Sequence, residues 1–211
     1  MIVWSIEAAI DSGLFRHVIV STDDDDIAAV ARSAGAEVPF RRPASLADDF
    51  TGTGPVLRHA VDWIVAQLGH PEFVCCLYPT APFVTAEVLI DARARLKETG
   101  ASNLITAARF SYPIQRALRL DPDGRLQMFQ PECFHSRSQD LEPAFHDAGQ
   151  FFWSRVDRML EPPQPPVTGF DPDTVMLVLP SHLVQDIDTE NDWITAEWMF
   201  KAYQMRVSTC S

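Results

Sequence analysis

The sequence predicts an α/β fold in which a mostly parallel sheet is covered by helices on both faces. Three observations support this prediction. Short apolar runs alternate with amphipathic segments over the first two thirds of the chain, glycine or proline stands at most of the boundaries, and the length of 211 residues suits one domain. We therefore expect residues 1–211 to form a single domain, with an irregular excursion around residues 110–145.

The first elements alternate between helix and strand. An amphipathic helix begins at Met1, and Gly13 is its expected stop. Residues 17–21 predict a short buried strand, and Thr22 can cap the helix that follows. That second helix has acidic residues in its first turn, and residues 36–40 predict another strand after it.

The middle of the chain continues this alternation. The pattern predicts a helix after the polar loop 41–54, a strand over 73–78, a helix over 85–98 and a strand over 103–108. Strands that alternate with helices of this length are typical of a mostly parallel sheet.

The last third is less regular. The turn at residues 121–124 predicts a hairpin within the excursion, and residues 149–154 and 175–179 predict two further strands. A final helix begins after Thr189, where Asp192 forms an acidic variant of the capping box.

Charge and hydropathy narrow the class of protein. The formal net charge is −12 and Arg41–Arg42 is the largest basic cluster, which argues against a nucleic-acid surface while allowing a small anionic substrate. No apolar run approaches the roughly 18 residues of a membrane helix, and no basic segment of a signal peptide follows Met1. We therefore expect a cytoplasmic protein with no membrane partner.

The cysteines predict neither a disulfide framework nor a zinc site. Cys75 and Cys76 are adjacent in an apolar segment, whereas Cys133 and Cys210 stand alone, so the chain has no CxxC pair. It also lacks the GxGxxG motif of dinucleotide enzymes and the GxxxxGK[ST] motif of P-loop kinases.

Two acidic residues near the C-terminus are the most informative. Asp186 and Asp188 flank Ile187 in an extended stretch, so their carboxylates point to the same face. Magnesium is usually held by one or two carboxylates together with substrate phosphates, and this pair suits that role. Capping of the last helix by Asp188, with Asp186 in solvent, is an equally good explanation of the spacing alone.

Other polar residues follow predicted strands or precede helices, where α/β sheets bind ligands. Asp23 and Arg42 follow the first two strands, and Thr53 precedes a helix. For Asp23 and Thr53, an ordinary role at a helix start is the slightly favoured alternative. Tyr78 and Thr80 offer hydroxyl groups at the end of another strand.

Seven segments, found in the same order as in a known family, carry a resemblance. The chain resembles the cytidylyltransferases that activate nonulosonic acids, and four of its motifs are nearest to members that use pseudaminic acid. The segments are VSTDDDDIA (20–28), RRPASLADDFTGT (41–53), LYPTAPF (77–83), FSYPIQRAL (110–118), SRSQDL (136–141), FHDAGQFFW (145–153) and QDIDTENDW (185–193).

The resemblance implies a Rossmann-like nucleotidyltransferase fold and a homodimer to which the excursion contributes. It also implies that the anomeric hydroxyl of a nonulosonic acid, for surface glycan or flagellin glycosylation, attacks the α-phosphate of CTP and releases pyrophosphate. The implied cofactor is Mg²⁺, bound by Asp186 and Asp188. The implied nucleotide-binding residues are Asp23, Arg42 and Thr53, and the implied sugar-binding residues are Tyr78, Thr80, Arg137, Asp147 and Gln150.

One family feature has no counterpart. Family members begin with a strand and a basic glycine-rich loop of the general form ARGGSKRIPRKN, whereas this sequence begins with a helix at Met1. We therefore expect this chain alone to be weakly active or inactive, with a misassigned start codon or incomplete gene model as the cause. The alternative function is that of a truncated, non-catalytic relic that binds a nucleotide or sugar or serves as a subunit.

Overall fold

The computed structural model describes residues 1–161 and 170–209, without the side chains of 206–209. The helices are α1 (Ile2–Asp11), α2 (Asp25–Ser33), α3 (Thr53–Leu68), α4 (Ala86–Thr99), α5 (Val156–Leu160) and α6 (Glu190–Thr209). The strands are β1 (Phe73–Leu77), β2 (Asn103–Arg109), β3 (Leu118–Leu120), β4 (Leu126–Met128), β5 (Phe145–Arg155) and β6 (Thr174–Leu179).

The main sheet has the strand order β1-β5-β2-β6 and confirms the α/β class. It is mixed and not mostly parallel as expected, because β2 and β6 pair in parallel whereas β5 runs antiparallel to both β1 and β2. The excursion explains this direction. It leaves the end of β2 and returns to the same end, where Arg109 pairs with Phe145, so β5 must run back along β2.

The two early predicted strands form only one bridge. Ile19 pairs in parallel with Glu37, and the bonds run from Val20 N–H to the Glu37 carbonyl at 2.9 Å and from Glu37 N–H to the Val18 carbonyl at 2.7 Å. The prediction of full strands at 17–21 and 36–40 is therefore wrong. A groove of about 370 Å³, lined largely by apolar residues, lies between this bridge and β1.

One edge of β1 faces this groove. Tyr78 N–H donates to the Gln150 carbonyl and Val156 N–H donates to the Glu72 carbonyl, so the even-numbered residues of this segment bond to β5. The main-chain groups of Phe73, Cys75 and Leu77 therefore point away from β5. In the described part of the chain, β1 pairs with no other strand.

Side-chain caps define the starts of α2, α4 and α6. Asp24, rather than the expected Thr22, caps α2 by accepting from Ile27 N–H at 2.8 Å, and Thr22 instead accepts from Asp24 N–H. The predicted capping box of α6 is confirmed, because Asp192 accepts from Thr189 N–H at 2.9 Å and Thr189 Oγ1 accepts from Asp192 N–H.

The core lies between the sheet and α4. Leu89, Leu104, Phe151 and Trp153 are all buried there, and the ring of Phe15 stacks on Trp153 with centroids 5.1 Å apart. The predicted hairpin is confirmed as β3–β4, which forms a separate two-stranded sheet. Within the described residues, no helix is long and apolar enough to cross a membrane.

The structure describes three of the four cysteines. Cys75, Cys76 and Cys133 are free thiols, and Cys210 lies outside the described residues. Burial raises the pKa of Cys76 to about 11 and raises that of Cys75 as well.

Candidate functional site

Tyr78, directly after β1, is fixed by two hydrogen bonds of its main chain. Its N–H donates to the Gln150 carbonyl at 2.8 Å, and its carbonyl accepts from the buried hydroxyl of Ser5 at 2.9 Å. Its phenol interacts with the Thr53 side chain, at the start of α3. Three elements distant in sequence therefore meet at this residue.

The phenol of Tyr78 lies near negative charge. Burial raises its pKa most, the hydrogen bond with Thr53 partly offsets that effect, and the charges of Asp147 and Asp186 add to the increase. A predicted nucleotide-binding residue, two predicted sugar-binding residues and a predicted metal ligand thus lie close enough to interact.

Asp147 is held by a tight turn at the start of β5. One of its carboxylate oxygens, Oδ1, accepts from Gly149 N–H at 2.8 Å, and its side chain stays exposed. This bond fixes the direction of the carboxylate before the strand becomes buried at Ala148.

Asp186 and Asp188 form the most acidic part of the site. Burial raises the pKa of Asp186, and the charges of Asp188, Asp147 and Asp192 raise it further. Among the side chains that the structure describes, no basic group is one of those that shift it. Negative charge without a protein cation is an environment that favours a bound metal ion.

The carboxylates of Asp186 and Asp188 need further oxygen ligands to hold magnesium. Across residues 1–161 and 170–209, no three acidic, histidine or cysteine side chains are grouped closely enough to hold a metal ion alone. Magnesium requires only one or two protein carboxylates when substrate phosphates supply further oxygens. Asp186 and Asp188 therefore fit a cation that binds together with a nucleotide.

Arg42 lines the apolar groove together with Ser21, Thr53 and Tyr78. Its guanidinium donates to the Ser21 carbonyl and to the Ser21 hydroxyl, the latter at 3.3 Å, and its N–H donates to the Thr22 carbonyl at 2.9 Å. These bonds hold a cation beside Tyr78. Asp23, by contrast, is exposed and does not line the groove.

The remaining predicted sugar-binding residues have other roles in this structure. Gln150 is 1% exposed, and its Nε2 donates to the Leu183 carbonyl at 2.6 Å. Arg137 is exposed and its Nε lies 3.5 Å from Asp140 Oδ2. Thr80 is half-buried in the turn after Tyr78. Their contacts with a sugar stay predictions.

A second cavity of about 450 Å³ lies beside Arg137. It is lined by Arg109, Tyr112 and Glu142. Ser138 and Gln139, which follow Arg137 in the chain, also line it. The sequence analysis did not identify Arg109, because a single arginine at the end of an apolar strand has no distinctive pattern.

Sequence reasoning also missed Ser5 and Gly149. Ser5 is a polar residue among the apolar positions of α1, and that exception is the signal that could have identified it. Gly149 lies within a strand, where a glycine marks a bulge or a close approach.

Comparison with known proteins gives consistent results. Residues 1–117 match the family model described as cytidylyltransferase. A pseudaminic acid cytidylyltransferase of Campylobacter jejuni is 38% identical over 201 residues, which are 95% of this chain and 85% of the relative. A CMP-N,N'-diacetyllegionaminic acid synthase of Legionella pneumophila is 29% identical over 97% of this chain and 86% of its own length.

The fold is also found among solved structures. A CMP:2-keto-3-deoxy-manno-octonic acid synthetase in complex with CTP superimposes with a TM-score of 0.60, over 95% of this chain and 88% of that one. A 4-diphosphocytidyl-2C-methyl-D-erythritol synthase of Anaerococcus prevotii superimposes with a TM-score of 0.58, over 95% and 88%. At 11% and 12% identity these structures support the fold alone.

Proposed function

This chain belongs to the cytidylyltransferase family, and on that basis we propose that it transfers the cytidylyl group of CTP to the anomeric hydroxyl of a nonulosonic acid. Pseudaminic acid is the proposed sugar. The observation that carries the proposal is the 38% identity, over 95% of this chain, to a pseudaminic acid cytidylyltransferase.

The proposed reaction is a displacement at the α-phosphate. The anomeric oxygen forms a bond to the α-phosphorus, and the bond from that phosphorus to the oxygen bridging to the β-phosphate breaks. Pyrophosphate leaves with those electrons, and the hydroxyl proton passes to solvent. Such a reaction depends mainly on positioning and on charge stabilisation.

The cluster around Tyr78 supports this assignment of roles. We assign the metal site to Asp186 and Asp188, two carboxylates that are two residues apart and whose charges interact. Bound there with CTP, Mg²⁺ would neutralise negative charge on the phosphates. Arg42 supplies positive charge on the nucleotide side, beside Thr53 in the same groove.

The sugar side of the proposal rests on the carboxyl end of β1. Tyr78 and Asp147 present a phenol and a carboxylate close to Asp186. Arg137 is the proposed partner of the sugar carboxylate, because a guanidinium binds a carboxylate through two parallel bonds. To make that contact, Arg137 must give up its exposed ion pair with Asp140. Breaking such a pair costs little free energy at the surface.

The test is pyrophosphate release by the purified chain. It is mixed with CTP, MgCl₂ and one of four acid sugars: pseudaminic acid, legionaminic acid, N-acetylneuraminic acid or ketodeoxyoctulosonate. We expect release with pseudaminic acid to have the highest kcat/KM, together with a CMP-sugar of the corresponding mass. Fastest turnover of another sugar would overturn the sugar assignment.

Nucleotide binding separates the remaining outcomes. CTP binding without turnover of any sugar, both by this chain and by a version extended before Met1 with the family's strand and basic glycine-rich loop, would overturn the transferase proposal and support the alternative, a non-catalytic nucleotide-binding protein. The comparisons themselves give no support to that alternative.

We further propose that the chain forms a homodimer through the excursion. The β3–β4 hairpin exposes Leu118, Leu120 and Leu126 by 53%, 69% and 67%, and Phe129 beside it by 60%. An isolated two-stranded hairpin is marginally stable in water, so a second copy that covers these side chains would stabilise it.

Light scattering after size-exclusion chromatography tests the dimer. We expect twice the chain mass of 23.6 kDa, and the single-chain mass for Leu120→Asp/Leu126→Asp. A monomeric wild-type protein at micromolar concentration, or a dimer that persists in this variant, would overturn the proposal.

A further inference from the structure

β5 departs from regular pairing where it passes Thr106. The register with β2 shifts between Ile105 and Ala107, so a longer stretch of β5 lies opposite this position. The fully buried Thr106 hydroxyl donates to the Phe151 carbonyl at 2.8 Å and takes the place of a main-chain bond. The irregularity is thus satisfied from within the fold, and bulges are over-represented next to active sites.

Gly149 lies in this bulge with a backbone φ of +62°. Its N–H donates to Asp147 Oδ1, which stabilises the turn. The left-handed conformation is unfavourable for residues that carry a Cβ and is readily adopted by glycine.

The carboxylate of Asp186 occupies the space where a side chain on residue 149 would lie. A Cβ built on Gly149 would lie 2.7 Å from Asp186 Cγ and 2.9 Å from each of its carboxylate oxygens. Carbon atoms in contact are about 3.5–4.0 Å apart, so a methyl group and this carboxylate exclude each other. Asp186 can occupy its position only because residue 149 has no side chain.

We infer that Gly149 is a positioning residue that sets the location of the Asp186 carboxylate beside Tyr78 and Asp147. The inference rests on the proposed function, in which Asp186 and Asp188 hold a divalent cation. The neighbouring Gln150 binds the Leu183 carbonyl. Two consecutive residues of β5 therefore hold the segment that carries the acidic pair.

A double-mutant cycle on thermal stability tests the contact without any need for catalysis. The variants are Gly149→Ala, Asp186→Ala and their combination. Gly13→Ala is the matched control, because Gly13 has a φ of +63° and nothing within 4 Å of a Cβ. We expect Gly149→Ala to lower Tm by about 1–3 degrees more than Gly13→Ala, because the end of the Asp186 side chain must move away, and that excess to disappear when Asp186 is alanine.

Cation binding is the second measurement. The affinity for Mn²⁺ in the presence of CTP is followed by electron paramagnetic resonance. We expect Gly149→Ala to weaken it by about 10–100-fold, as is usual when a group that orients a metal ligand is changed. Gly13→Ala is expected to bind Mn²⁺ as the wild-type protein does.

The outcomes separate this inference from the proposed function. Additive Tm effects, or wild-type Mn²⁺ affinity in Gly149→Ala, would overturn the positioning role. If Gly149→Ala alone fails to fold, the inference requires that Gly149→Ala/Asp186→Ala folds, and an unfolded double variant would also overturn it. Coupled Tm effects in a protein that turns over no sugar would support the contact and reject the transferase proposal.

Discussion

The side chain of Ser5 donates a hydrogen bond to the main-chain carbonyl of Tyr78 at 2.9 Å, between residues 73 positions apart. Ser5 is 4% exposed, so the bond is shielded from water. It connects α1 directly to the end of β1, where the residues proposed to bind the substrates meet.

Ser5→Ala is expected to lower the free energy of unfolding by about 1–3 kcal/mol, because it leaves the Tyr78 carbonyl without its partner. Urea denaturation measures this change. The control is Ser33→Ala at the end of α2, whose hydroxyl makes an exposed local bond to Ala29, and we expect a change within about 0.5 kcal/mol there. Equal effects of the two changes would contradict the prediction.

Tyr78→Phe and Thr53→Val each remove the polar interaction between these side chains. We expect the two effects on stability to be non-additive, with a coupling of about 0.5–1.5 kcal/mol. The KM for CTP should rise in both variants, since Thr53 begins α3 and lines the groove proposed to bind the nucleotide. Full additivity in a double-mutant cycle would show that the interaction does not contribute.

Asp188→Asn is expected to lower kcat by at least about 100-fold, because a metal site of this kind contributes several kcal/mol to the transition state. The control is Asp91→Asn, an exposed position on α4 away from the site, which should leave kcat unchanged. Steady-state kinetics with saturating Mg²⁺ measures both variants. A near-normal kcat for Asp188→Asn would rule out its role at the metal.

Gln150→Met distinguishes a structural role from sugar binding. Because Gln150 is buried and bonded to Leu183, we expect the free energy of unfolding to fall by about 1–3 kcal/mol. A direct sugar contact predicts instead an increase in the sugar KM with little loss of stability. Chemical denaturation and sugar saturation curves on one preparation decide between the two roles.

The buried thiols provide a pH-dependent prediction. The pKa of Cys76 is about 11, against an ordinary value of 9.0, so almost no thiolate is present at pH 8. We expect iodoacetamide to leave Cys76 unmodified at pH 8 in the folded protein and to label it in urea, as measured by peptide mass spectrometry.

The same pKa difference affects stability. The unfolded chain loses the thiol proton at lower pH than the folded protein. The free energy of unfolding should therefore fall as pH rises from about 9 to about 11. Rapid labelling of Cys76 in the folded protein at pH 8 would contradict its raised pKa.

The helices were predicted well because their signals are local. The capping box at Thr189 and the acidic first turn of α2 are both visible in the sequence, and both helices form there. The choice of Asp24 over Thr22 as the cap was missed, because neighbouring residues of both types can accept the same bond.

Strand partners and directions could not be predicted in the same way. An apolar run indicates burial but not which strand lies beside it, so the antiparallel direction of β5 became clear only from the return of the excursion next to Arg109. Residues 17–21 have the composition of a strand but form a single bridge. A strand requires paired edges, and composition alone cannot provide them.

The site was predicted from a resemblance more than from physical reasoning. The spacing of Asp186 and Asp188 left capping and metal binding equally possible. The close approach of Asp186 to Gly149 depends on a bulge formed with Thr106. That contact joins residues far apart in sequence, so no local pattern contains it.

The one-sided pairing of β1 divides the amide hydrogens of a single strand into two classes. Those of Val74 and Cys76 are bonded to β5 and should exchange with deuterium only when the sheet opens. Those of Cys75 and Leu77 face the groove and should exchange within seconds. Slowed exchange at Cys75 and Leu77, with Val74 unchanged, would therefore report directly that a molecule or peptide segment has entered the groove.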